Sequence, residues 1–232
     1  MRVLGLIPAR GGSKGIPDKN RKLLNGKPLL QYTIEAALGS KLLDVVVFSS
    51  EDEILMRLAS EIGAEVPFKR PLDLATDTAS SLGVVKHALQ ALSEKGQDYD
   101  AVCLLQLTNP FRQAAFIDAA IEKFKEVGTD SLVSVLKVPH EYNPHWVFEA
   151  SEAKTLKIAT GESQIIKRRQ DLPDAFVRDG AIYLTKVNVL FEQNSLYGST
   201  ISYIESDANR HVNIDTPKDW KLAEELVNKL DD

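Results

Sequence analysis

The first apolar run of the chain, residues 3–7, empties into PARGGSKGIPDKN, which carries three glycines and the cations Arg10, Lys14 and Lys19. Glycine lets backbone N–H groups approach an anion with no side chain in the way, so a basic, glycine-rich loop of this kind is a candidate phosphate cradle. It has neither the GxxxxGK[ST] spacing of a P-loop nor the GxGxxG of a dinucleotide site. Taken alone, GGSKG reads as a solvated turn. Its position at the carboxyl end of a first strand, where open α/β sheets place ligands, favours function. A second basic run, Lys167, Arg168 and Arg169, holds guanidinium groups that match a carboxylate or phosphate bidentately; Arg169 is the candidate and its two neighbours read equally well as solvated. Asp215, by local sequence, is a hydrogen-bonding residue at a helix start. The histidines, at 87, 140, 145 and 211, show no metal-ligand spacing. Cys103, the single cysteine, lies in AVCLLQL and reads as a core thiol, which also excludes a disulfide framework. With no Ser/His/Asp or Cys/His constellation, a covalent enzyme intermediate is not expected.

The elements that must hold these groups follow a simple rhythm. Apolar runs at 3–7, 45–48, 101–107 and 132–136 read as buried parallel strands, and amphipathic stretches at 28–38, 52–62, 79–93 and 113–126 read as helices covering both sheet faces. Ser50 with Glu53, and Thr216 with Asp219 behind Pro217, match capping boxes. After 137 the rhythm breaks into a proline-flanked loop and hairpin. Strands at 180–185, at 200–204 and in HVNI (211–214), and a closing helix over 217–229, return to the core. The expectation is one α/β domain over 1–232, of Rossmann-like nucleotide-binding type, with 138–178 as a protruding segment. A chain of 232 residues with 44% hydrophobic content has enough apolar surface for one sizeable core. The net charge of −5 offers no general attraction for nucleic acid or anionic membrane. No run approaches the roughly 20 apolar residues of a membrane span, and the N-terminal apolar stretch is short for a secretory signal. A cytoplasmic protein is expected.

IPARGGSKGIPDKN resembles the signature of the acylneuraminate cytidylyltransferases, the CMP-sialic acid synthetases. KRPLDLATDTASS, LLQLTNPFR, RRQDLPDAF with DGAIY, and NIDTPKDW resemble later motifs of that family in the same order, so the likeness covers essentially the whole chain. It implies a seven-stranded, mostly parallel sheet, CTP and Mg2+ dependence, an acidic nine-carbon sugar as co-substrate, and a homodimer built through the protruding segment. It places Ala9, Arg10, Gly11, Gly12, Lys14, Lys19, Asn20, Arg70 and Ser81 around the nucleotide, with Arg10 and Lys19 on the phosphates. Without the likeness, Asn20 reads as a turn cap, Arg70 as a partner of Asp73, and Ser81 as a first-turn helix residue. It places Gln106, Thr108, Arg169, Asp179, Tyr183 and Tyr197 around the sugar. The family commonly reads QPTSP where this chain has Gln106 to Pro110 as QLTNP, and an asparagine where this chain has Asp179.

For metal, the likeness implies Asp215, with Asn213 standing where relatives carry a second aspartate; an amide oxygen can coordinate but brings no charge. Magnesium keeps several waters, so one carboxylate plus triphosphate oxygens suffices. The implied chemistry is in-line attack of the sugar's anomeric hydroxyl on the α-phosphorus, with Arg10, Lys19 and Asp215 as catalytic groups and pyrophosphate leaving. The base is unassigned, Asp215 being one option. The readings that compete are a synthetase for the eight-carbon sugar Kdo, another sugar nucleotidyltransferase, and a nucleotide-binding relative without turnover.

Overall fold

The computed structural model describes residues 1–231. In chain order the strands and helices are β1 (Val3–Pro8), β2 (Leu23–Leu24), β3 (Lys27–Pro28), α1 (Leu29–Leu38), β4 (Val45–Ser49), α2 (Glu53–Ile62) and α3 (Ser81–Ser93). There follow β5 (Ala101–Leu104), α4 (Ala114–Val127), β6 (Ser131–Lys137), β7 (Phe148–Ala150), β8 (Leu156–Ile158), β9 (Phe176–Lys186), α5 (Val187–Glu192), β10 (Ile201–Glu205) and α6 (Pro217–Asp231). Six strands form the main sheet in the order β10-β6-β9-β5-β1-β4. Neighbours are parallel except at β9, which runs antiparallel to both β5 and β6.

The sheet is buried on both faces, which is why its strands read as near-continuous apolar runs. Ile7, Phe48, Cys103 and Leu184 pack on one side with Ile34, Ala37, Ile117 and Phe124 of α1 and α4. Leu6, Val47, Val102 and Leu104 pack on the other with Val85, Leu89 and Leu92 of α3. A third cluster, Ile16, Leu24, Phe111, Ile214 and Trp220, fastens α6 and the segment before it to the basic loop.

Two expectations fail here. HVNI is not a strand: it crosses the sheet end with Ile214 N donating to Thr108 O at 2.8 Å, a single bond and no ladder. Six strands therefore form where the resemblance implies seven, and outside β4 Glu65 adds only one parallel bridge to Val47. The cap of α2 is Asp52, whose carboxylate accepts from Ile54 N at 2.8 Å and Leu55 N at 2.9 Å; Ser50 Oγ instead accepts from Asp52 N at 3.1 Å. The second capping box forms as the pattern predicts. Asp219 Oδ2 accepts from Thr216 N at 2.7 Å, and Pro217 takes the first position of α6.

β9 is irregular at one place. Val133 faces Tyr183 while Val135 faces Arg178, so five steps along β9 are crossed for two along β6. Gly180 turns this bulge at φ 85°, a left-handed conformation that glycine adopts without steric cost. Leu104 faces Tyr183, so the bulge lies just beyond the carboxyl end of β5, beside the basic loop.

Candidate active site

A cavity of about 530 Å³ opens at the carboxyl ends of β1 and β5. Pro8, Ala9, Arg10, Ser13, Lys19 and Asn20 line it from the basic loop. Gln106, Leu107 and Thr108 line it from the exit of β5, Arg178, Asp179, Gly180 and Tyr183 from the bulge, and Asn213 and Asp215 from the crossing segment. A second cavity of about 250 Å³ shares Pro8, Ala9 and Arg10 and is closed by Arg70, Leu74, Thr76, Asp77, Ala79, Ser81 and Val84. Arg10 thus stands on the wall common to both.

The basic loop is held by bonds to its own backbone. Asn20 Nδ2 donates to Arg10 O at 3.0 Å, and Ala9 N donates to Ser49 O at 3.0 Å. Arg70 is buried; its Nη2 donates to Ala9 O and, at 2.8 Å, to Glu51 Oε2. Its partner is therefore Glu51, not Asp73, and its guanidinium braces the loop. Glu51 Oε1 in turn accepts from Gly11 N at 2.7 Å. Gly12 has open space around it, Lys14 reaches Asp77 at 2.5 Å, and Gly11, Gly12 and Lys14 are not among the residues lining either cavity. Ser81, the first residue of α3, does line the smaller cavity.

Asp18, at φ 55°, turns the chain into a 3₁₀ segment that aims Lys19 inward. The buried Lys19 ammonium donates to Ile214 O at 2.6 Å and to Asp215 Oδ1 at 3.1 Å. Asn213 Nδ2 donates to Asp215 Oδ2 at 2.7 Å. A Cβ on Gly15 would collide with the Asp215 carbonyl oxygen, so glycine is what allows loop and crossing segment to touch. Asp215 does not cap α6, contrary to its local sequence reading. Asp219 and Thr216 fill that role, and the Asp215 carboxylate, with its side chain 59% exposed, is left facing the cavity beside a cation and an amide. Among the described residues no group of three His, Cys, Asp or Glu side chains is arranged to hold a metal. One exposed carboxylate and an amide oxygen suit a divalent cation held mainly by a ligand's own phosphates.

The sugar-side candidates divide. Gln106, Thr108 and Tyr183 are on the cavity wall. Asp179 is there only through its backbone, for its side chain is 0% exposed and points inward. Its Oδ1 accepts from Ser134 Oγ at 2.5 Å and Ala181 N at 3.0 Å. These bonds hold the bulge. Tyr197 lies outside the lining, edge-on to Tyr183 at 6.4 Å, and its hydroxyl accepts from Arg178 Nη1 at 3.0 Å. Arg169 is not brought to either cavity; it starts an exposed 3₁₀ turn in the excursion, next to Arg168, which pairs with Asp171. Besides Arg10, the cavity is lined by the guanidinium-bearing Arg178, whose pKa is raised by the nearby Tyr183 and Tyr197 phenols.

Three groups had no clear signal in the sequence. Asp77 and Glu51 find their cations only through the fold. Arg112 is buried, its Nε donating to Ala181 O at 2.6 Å and Nη2 to Gln106 O at 2.9 Å, so one guanidinium ties β9 to the segment leaving β5. Burial lowers its pKa to about 10.

The chain matches the family model described as cytidylyltransferase over residues 4–231. It is 35% identical to the CMP-N,N'-diacetyllegionaminic acid synthase of Legionella pneumophila, covering 98% of this chain and 97% of that one. It is 36% identical to a pseudaminic acid cytidylyltransferase of Campylobacter jejuni, covering 97% and 96%. An N-acylneuraminate cytidylyltransferase of Escherichia coli is 31% identical, over 98% of this chain and 52% of its own length. Among solved structures, CMP:2-keto-3-deoxy-manno-octonic acid synthetase complexed with CTP has the same fold at TM-score 0.74 and 16% identity, covering 99% of this chain and 100% of that one. A family model spanning all but the first three of the described residues, together with relatives aligned end to end, places this chain in the cytidylyltransferase family.

Proposed function

We propose that the chain transfers CMP from CTP to the anomeric hydroxyl of a nonulosonate, releasing pyrophosphate. The observation that carries this reading is Arg10 on the wall between two cavities of about 250 and 530 Å³; in this reading the smaller takes the nucleoside and the larger the sugar acid. A triphosphate joining the two must pass that guanidinium. Pyrophosphate leaves with growing negative charge, and Arg10 and Lys19 are fixed cations placed to stabilise it. Arg178, rather than Arg169, is the group in the cavity suited to the sugar carboxylate, with Gln106 and Thr108 available to its hydroxyls.

Asp215 and Asn213 are the residues that would hold magnesium in this reading, and the ion would supply charge neutralisation on the phosphates. Lys19 and Asn213 hold the Asp215 carboxylate in place for it. The relatives at 35% and 36% identity act, by their names, on legionaminate and pseudaminate derivatives, which makes these the first sugars to try. The excursion at 138–178 leaves Tyr142, Val147, Phe148 and Leu156 exposed and is the surface we assign to a homodimer.

The test is a panel of purified nonulosonates and Kdo, each with CTP and magnesium, scored for pyrophosphate. Release with a nonulosonate and not with Kdo supports the reading; release with Kdo alone, or with none, overturns it.

A further inference from the structure

Four cations in and around the two cavities meet a carboxylate of the chain itself: Arg70 meets Glu51, Lys19 meets Asp215, and Arg10 and Lys14 share Asp77. We infer that Asp77 is a resident anion of the phosphate site, a carboxylate the triphosphate must displace, which sets how tightly the site holds nucleotide and releases pyrophosphate. The inference rests on the reading of the Arg10 loop as the CTP site.

Three features of Asp77 carry the inference, and the first sets it apart from Glu51 and Asp215. It bridges two cations at once, Oδ1 accepting from Arg10 Nη1 and Oδ2 from Lys14 Nζ at 2.5 Å. Its partners lie on a different segment, Arg10 being 67 positions away in the sequence, so the contact spans the smaller cavity from its α3 side to the basic loop. It is accessible, at 38% exposure against 36% for Arg10 and 80% for Lys14, whereas Glu51 is tied to both Gly11 N and the buried Arg70. An incoming polyphosphate can replace Asp77 without unmaking the loop, but it cannot so replace Glu51.

Electrostatics sets the direction. With Asp77 in place Arg10 and Lys14 present one net positive charge, and with Asp77 swung away they present two. Every anion that uses Arg10 must give back the carboxylate pairs, so substrate and pyrophosphate are weakened alike and the product leaves faster. An exposed ion pair is worth from almost nothing to about a fivefold change in an equilibrium, so a change on the order of tenfold lies within the range of two together.

The experiment measures dissociation constants by calorimetry for CTP, pyrophosphate and inorganic tripolyphosphate, each with and without magnesium, in wild type, Asp77→Asn, Arg10→Ala and the double variant. Asp77→Asn is expected to bind all three about tenfold more tightly without metal, to be more strongly inhibited by pyrophosphate, and to lose most of the gain when Arg10 is also removed. Asp77→Ser repeats the measurement if the asparagine variant is poorly folded. Unchanged or weaker binding without metal overturns the inference. Weakening confined to magnesium-containing solutions makes Asp77 a metal ligand and also overturns it. If Arg10→Ala itself leaves CTP binding untouched, the fault lies in the CTP site reading; if Arg10→Ala weakens CTP and Asp77→Asn does not tighten it, only the resident-anion inference falls.

Discussion

Asp215→Asn should separate catalysis from stability, because the fold has already given the helix cap to other residues. The Asp215 carboxylate accepts from Lys19 Nζ at 3.1 Å and from Asn213 Nδ2 at 2.7 Å. Asparagine keeps one oxygen for Lys19, which also retains its 2.6 Å bond to Ile214 O. What is lost is a half-exposed ion pair, at most about 1 kcal/mol, equivalent to a fall in Tm of no more than about 4 °C for a domain this size. Turnover loses the exposed carboxylate of the larger cavity and should fall by about 10²–10³-fold, recovering in part at high magnesium as mass action offsets weak coordination. Asp219→Ala is the control: it removes the acceptor for Thr216 N, Thr216 Oγ1 and Asp215 N, and should cost more in Tm and less in turnover. Pyrophosphate release across a magnesium titration, paired with thermal unfolding, reads both. Full activity of Asp215→Asn at low magnesium would refute the argument, as would a loss of Tm matching that of Asp219→Ala.

Arg10→Ala should lower turnover by about 10²–10³-fold with Tm little changed, and near-normal pyrophosphate release would remove Arg10 from the site. The fully buried Cys103 thiol, pushed up to about 12 by desolvation, should resist alkylation at pH 8 in the native protein and react after denaturation, which mass spectrometry of the two samples decides. Burial, and then Arg70, lowers the pKa of His87, whose ring stands edge-on to Phe68 at 5.1 Å. The native state therefore binds fewer protons than the unfolded state below about pH 6.5, so stability is full above that pH and is lost as pH falls. His87→Phe should flatten this acid limb in urea titrations, and an unchanged slope would exclude His87 as its source. Sedimentation at micromolar concentration should show a dimer that Val147→Glu with Phe148→Glu converts to monomer; a monomeric wild type would contradict the assigned surface.

The strands and helices flanking the site were legible because a doubly covered sheet writes its pattern into the chain. Apolar runs at 45–48 and 132–136 became β4 and β6, and the stretches at 28–38 and 113–126 became α1 and α4 within a residue or two. HVNI misled because an apolar alternation reports burial, and Val212 and Ile214 are buried under α6 without pairing in the sheet. The six-residue α5 was too short to show a period. At the site, local signals found the loop but not the partners. Glycine content and charge marked residues 9–20, yet the pairing of Arg10 with Asp77, and of Arg70 with Glu51 rather than Asp73, depends on tertiary packing. Arg169 stands out in the sequence because charge density is visible there, whereas the bulge at Gly180 that brings Arg178 to the cavity is not.

The central claim is transfer of the α-phosphorus of CTP to the sugar, and labelling that atom tests it most directly. CTP carrying radioactive phosphorus at the α position is incubated with enzyme, magnesium and the preferred nonulosonate, and the products are separated. The account predicts label in a CMP-sugar, with one pyrophosphate formed per sugar consumed. Label remaining in CTP while CTP binds, label released as free CMP without sugar conjugate, or transfer of the γ-phosphate instead would each contradict it.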